Sequence, residues 1–214
     1  MTIPWIKDGE KVLFIGDSVT DCGRSRSANS KDLGAGYPMF IASFVKAMYP
    51  EKDITFINRG ISGNRTRDLM KRWKEDCIDL NPDWVSILIG INDTWRRYDS
   101  NDPMTVEEFE SNYRSLLERT KTETNARLIL MEPFVLPYPE DRKQWRTDLD
   151  PKIQAVRNLA MEYKAVLIPL DGLLASAAAK SNPRVWSEDG VHPTQKGHAF
   201  IAIEWMKALG LWKG

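Results

Sequence analysis

A chain of 214 residues with 42% apolar side chains is long enough for one sizeable core and too apolar for a disordered one. Lysine plus arginine equals aspartate plus glutamate at 30 each, which removes the electrostatic case for nucleic acid or an anionic membrane surface as partner. The two cysteines, Cys22 and Cys77, are too few for a disulfide framework and read as reduced thiols.

The N-terminal stretch has no basic region followed by a continuous apolar run, and no run reaches the roughly 18 apolar residues of a membrane span. These features point to a cytoplasmic protein. The first apolar run, residues 12–15, reads as a strand and ends at Gly16. Residues 37–49 carry Phe40, Ile41, Phe44, Val45 and Met48 at helical spacing. Residues 54–58 read as a second strand, and residues 66–80 as a helix with Leu69, Trp73, Cys77 and Leu80 on one face. Residues 84–90 form a nearly continuous apolar strand. Thr105 with Glu108 makes a capping box that opens a helix to about residue 120. Residues 126–132 read as a strand, 133–148 as a surface loop, 149–163 as a helix and 165–170 as a fifth strand. A short helix over 171–180 and a last one over 194–209 close the chain.

Five apolar strands without polar alternation, separated by helices, predict a parallel sheet covered on both faces. No composition break or repeat suggests a linker, so residues 1–214 are expected to form one domain. Ligands of such sheets bind beyond the carboxyl ends of the strands. Four polar or glycine-rich segments fall there: Gly16-Asp17-Ser18, residues 58–64 (NRGISGN), residues 90–93 (GIND), and residues 189–193 (DGVHP).

Each segment alone has an ordinary reading as turn or cap. Together they hold the parts of an acyl-transfer site. Ser18 supplies a hydroxyl. His192, one of only two histidines, supplies a base, and Asp189 three residues earlier can orient its ring. The backbone N–H groups of Ser18 and Gly60 and the side-chain amide of Asn92 are candidate donors to an oxyanion. His198, inside the last helix, reads as structural. Asp17 is read as a brace of the turn and, with Trp95 and Trp186, as a candidate substrate contact, since both tryptophans lie three residues from a proposed site residue.

These four segments, in this order over residues 12 to about 200, resemble the SGNH hydrolase, or GDSL esterase, family. Ser18, Gly60, Asn92 and His192 take the four marker positions, with Val19 where many members have leucine. The resemblance implies a flavodoxin-like three-layer α/β/α sandwich with a central five-stranded parallel sheet. It also implies serine-dependent ester hydrolysis without metal or cofactor, and a homo-oligomer. The longer strings are most similar to a branch of intracellular carbohydrate acetyl esterases that act on acetylated xylo-oligosaccharides. A broad short-chain esterase, a lysophospholipase and a thioesterase are alternatives within the family. A flavodoxin-like phosphate or flavin mononucleotide binder is the alternative outside it, disfavoured by two aspartates in the loop that would hold the phosphate.

Overall fold

Successive side chains of a strand point to opposite faces, so an uninterrupted apolar run needs cover on both. The computed structural model, which describes residues 5–26 and 31–212, bears this out. The first four and last two positions of the domain expected over residues 1–214 lie outside the described residues, as do residues 27–30. Strands β1 (Lys11–Gly16), β2 (Thr55–Asn58), β3 (Trp84–Leu88), β4 (Arg127–Met131) and β5 (Val166–Ile168) form one parallel sheet in the order β2-β1-β3-β4-β5. Val12 and Phe14 of β1 enter a core shared with α2 (Tyr37–Met48), α7 (Leu170–Ala179) and α8 (Gln195–Ala208). Leu13 and Ile15 enter the opposite core, shared with α3 (Thr66–Asp76), α5 (Val106–Glu123) and α6 (Arg146–Glu162). The result is the expected three-layer sandwich. The buried Trp205 indole of α8 donates to Ser86 Oγ at 3.0 Å, satisfying the one polar side chain inside β3.

The strand order has a consequence for the site. The chain leaves β1 toward one face and leaves β3, its neighbour, toward the other. A crevice therefore opens between the carboxyl ends of β1 and β3. Ser18 follows the first of these strands and Asn92 the second.

Several elements differ from expectation for identifiable reasons. A one-turn helix α1 (Ser18–Asp21) and a helix α4 (Ile91–Asp99) begin directly after β1 and β3. α1 is a single turn, too short for a period, and in α4 the buried polar run Asn92, Asp93 and Thr94 masks the short stripe of Ile91, Trp95 and Tyr98. The fifth strand stops at Ile168, since Pro169 has no N–H to continue a ladder. The helix begun at Thr66 ends at Asp76 and continues as a 3-10 turn over Ile78–Leu80. The segment 133–148 is not a surface loop throughout. Residues 133–136 are buried, a 3-10 turn spans Glu140–Trp145, and α6 starts at Arg146. Trp145 draws this segment in, packing with Ile91, Val135, Leu149 and Val191. The capping of α5 is as expected, with the Glu108 N–H donating to Thr105 Oγ1 at 3.2 Å. Both cysteines are free, and burial pushes the Cys77 thiol up to about 12.

Candidate active site

Ser18 sits where β1 ends, as the first residue of α1. Asp17 caps that turn: its carboxylate accepts the Val19 N–H at 3.0 Å. Asp17 is buried, and desolvation pushes its carboxyl up to about 7, the Val19 hydrogen bond opposing the shift. It acts inward as a brace and is 1% exposed, which leaves it no surface for a substrate contact.

The histidine comes from the loop before α8. Asp189 organises that loop by accepting the backbone N–H groups of Val191 and His192 through Oδ1, at 3.0 and 2.8 Å. Its other oxygen lies 2.8 Å from His192 Nδ1. His192 Nε2 then lies 3.1 Å from Ser18 Oγ. Asp189 raises the imidazole pKa above its usual value, against the opposing effect of partial burial. Burial also disfavours the Asp189 charge, but the His192 ring and the two backbone donors outweigh it and hold the carboxyl well below the usual range. A carboxylate fixed on Nδ1 leaves the Nε2 lone pair facing the serine. The structure therefore brings Ser18, His192 and Asp189 into one relay.

Asn92 stands on the first turn of α4, 3% exposed, and its Nδ2 donates to the Asn64 carbonyl at 3.1 Å. Its neighbour Asp93 anchors α4 to α3, accepting the Thr66 hydroxyl at 2.6 Å and the Thr66 N–H at 3.0 Å. Burial pushes the Asp93 carboxyl up to about 6, against the Thr66 bonds.

Gly60 has a different job from the one expected of it. Its N–H donates to Asn58 Oδ1 at 2.8 Å, so that donor is occupied. A Cβ at Gly60 would lie 2.3 Å from the Asp21 backbone nitrogen; the glycine is needed for the close approach of its loop to α1. Gly63, three residues on, adopts φ +83° and has open space around it. Its N–H meets no acceptor among the described residues, and the next carbonyl, Asn64, is the one that touches Asn92. The sequence reading missed Asn58. Its Nδ2 bridges the Thr20 and Leu33 carbonyls at 2.6 and 2.9 Å, tying the end of β2 to α1. A polar residue closing an apolar strand was the available signal.

Of the two tryptophans, the structure brings Trp95 to the site. Its ring centre lies 5.8 Å from that of His192 and 5.2 Å from Trp145. Arg142 covers Trp145 at 4.1 Å and Trp95 at 5.0 Å. Trp186 turns away, packing on Phe200 at 5.3 Å and donating to Ser181 Oγ at 2.7 Å. His198 is buried, as expected of a structural histidine. Among the described residues no cluster of histidine, cysteine and carboxylate is arranged to hold a metal ion, and no helix is long and apolar enough to cross a membrane.

A parallel sheet with this relay at its carboxyl edge marks a serine-dependent acyl hydrolase. Residues 14–200 match the GDSL-like lipase/acylhydrolase family, and the chain belongs to that family. It is 39% identical over 212 residues to an acetylxylan esterase of Geobacillus stearothermophilus, covering 96% of both chains. The crystal structure of an acetylxylan esterase from that organism superposes with a TM-score of 0.85 at 37% identity, over 96% of each chain. A mutant described as an acetyl-xylooligosaccharide esterase superposes at 0.88 and 38% identity, again over 96% of each. Structures of three catalytic mutants of that esterase replace a serine, an aspartate and a histidine by alanine.

Proposed function

We propose that the protein removes acetyl groups from carbohydrate hydroxyls, with acetylated xylo-oligosaccharides as its substrate class and Ser18 as the nucleophile. The observation that carries the chemistry is the hydrogen-bonded relay from Asp189 through His192 to Ser18. The likeness to an acetylxylan esterase along nearly the whole chain supports the sugar acetate as substrate.

Ser18 Oγ attacks the acetyl carbonyl carbon as His192 Nε2 takes its proton, and the carbonyl π pair moves onto oxygen. Asn92 Nδ2, the Ser18 N–H and the Gly63 N–H, in the place expected of Gly60, donate to that oxyanion. The bond to the sugar oxygen then breaks, and that oxygen leaves with the proton from Nε2. Water attacks the acetyl-serine, again giving a proton to Nε2. Acetate departs as the proton returns to Ser18 Oγ. Trp95, beside His192, forms the wall on the sugar side. The homo-oligomeric state, the single domain over residues 1–214 and the cytoplasmic location belong to the same reading; two free cysteines fit a reducing compartment.

A substrate panel tests it. Acetylated xylo-oligosaccharides should be turned over with higher kcat/KM than long-chain p-nitrophenyl esters, lysophospholipid or acyl-thioesters. A preference for any of the latter would overturn the substrate assignment while leaving the relay in place.

A further inference from the structure

Asn92 is held from both ends. Its Nδ2 donates to the Asn64 carbonyl at 3.1 Å, and its Oδ1 accepts from Arg96, one turn further along α4, at 3.4 Å. A guanidinium has only donors and a backbone carbonyl only accepts. The orientation of the amide is therefore determined: oxygen toward Arg96, nitrogen toward the loop that carries Gly63. One Nδ2 hydrogen is committed to Asn64 and one remains. Arg96 is itself braced, by an ion pair with Asp99 and by the Trp95 ring, whose centre lies 5.6 Å from the guanidinium carbon. Its Nε is buried without an acceptor among the described residues.

We propose that Arg96 is a positioning residue for the oxyanion donor. It fixes the direction of the Asn92 amide and, as a cationic donor whose charge Asp99 partly offsets, strengthens the hydrogen bond that the remaining Nδ2 hydrogen makes. The inference rests on the reading of Asn92 as a donor to the oxyanion. Two physical effects operate. Without Arg96 only the Asn64 carbonyl opposes the flipped amide, in which Oδ1 would turn a lone pair toward a negatively charged oxygen, and the amide is held less firmly. With Arg96, the cation polarises the amide, and hydrogen bonds in series reinforce one another. The energy of a charge on an amide dipole falls with the square of the distance, so at 3.4 Å the cation still polarises the amide although the hydrogen bond is long. Both effects favour the charged tetrahedral state over the neutral ester, so they act on kcat more than on KM.

The test is a double-mutant cycle on a soluble acetyl ester. Arg96→Met should lower kcat by roughly tenfold to a hundredfold, part of the hundredfold to thousandfold loss expected of a missing oxyanion donor, with KM within about threefold. Arg96→Lys, which keeps a cationic donor, should recover most of that rate. In an Asn92→Ala background, Arg96→Met should cost less than about threefold more, because the group it acts through is gone. A wild-type kcat for Arg96→Met, or an undiminished loss in the Asn92→Ala background, overturns the proposal. If Asn92→Ala itself keeps the wild-type rate, the reading of Asn92 falls and this inference falls with it. Arg96→Leu, which likewise removes both the donor and the charge, replaces Arg96→Met if the latter melts early, and the same outcomes apply.

Discussion

Ser18 Oγ lies 3.1 Å from His192 Nε2 across a separation of 174 residues. The contact joins the first turn after β1 to the loop before the last helix. Everything that holds those two segments, Asp17 under one and Asp189 under the other, therefore bears on the rate.

Because Nε2 must be unprotonated to accept the serine proton, activity requires neutral His192. Asp189 raises that pKa, so the acid limb of kcat/KM against pH should fall above 6.5, the ordinary histidine value. Asp189→Asn should move the limb down and cut kcat. Ser18→Ala should lose at least about four orders of magnitude in kcat while the fold persists. A pH–rate profile on p-nitrophenyl acetate reads both.

Asn92→Ala should lower kcat about a hundredfold to a thousandfold with little change in KM. Steady-state kinetics on a short acetyl ester measures it.

Gly60 and Gly63 should respond differently to alanine. At Gly60 the new methyl would meet the Asp21 backbone at 2.3 Å, and at Gly63 it would meet nothing. Gly60→Ala should cost about 1–3 kcal/mol from the clash. It should also impair catalysis, since α1 must shift. In stability Gly63→Ala should cost only the strain of φ +83°, of order 1–2 kcal/mol, and kcat should fall as far as that strain turns the proposed donor N–H. Urea midpoints for the two variants give the comparison.

His198 should make the protein acid-sensitive. It is 4% exposed, and its Nδ1 accepts the Tyr37 N–H at 3.2 Å while Nε2 faces Cys22 Sγ at 3.4 Å. Burial lowers its pKa to about 4 from 6.5. Between those values the unfolded chain binds a proton that the native state does not, so stability falls as pH drops from about 6.5 to about 4, by an order of 3 kcal/mol. Above 6.5 this contribution is flat. Denaturant titrations at several pH values, on wild type and on His198→Gln, should show the slope in the former and lose this part of it in the latter.

Trp95→Ala should alter kcat/KM toward sugar acetates, because its ring adjoins His192. Trp186→Ala should lower stability through the lost Phe200 contact and leave KM unchanged. Kinetics and thermal melts on the pair separate the two roles.

Legibility differed from element to element. The strands could be read because burial on both faces forces continuous apolar runs, and β1, β3 and β4 lie within a residue or two of expectation. Helix α4 went unread because the buried polar run Asn92, Asp93 and Thr94, held by Asn64, Thr66 and the packed interior, obscures the short apolar stripe of Ile91, Trp95 and Tyr98. The segment 133–148 looked exposed because proline and charge dominate it; the pull of one tryptophan, Trp145, on distant rings decided otherwise.

Residue type, spacing and joint order along the chain were enough to put Ser18, Asn92, Asp189 and His192 forward together as a proposed site, though no one of them alone. A hydroxyl, an amide and a histidine with a carboxylate three residues earlier, each at the end of an apolar run or in a turn, carry their meaning in residue type and spacing. Which of Gly60 and Gly63 keeps an unengaged N–H among the described residues, and which of Trp95 and Trp186 faces the histidine, depends on how the packed fold orients their neighbours, as the Thr20 and Leu33 carbonyls orient the Asn58 amide two residues before Gly60. Asn58 occupies one donor and Phe200 draws one ring away. Those competitions are settled only when the sheet closes and the loops pack, because a hydrogen-bond donor or a ring face goes to the partner that the packed fold places nearest.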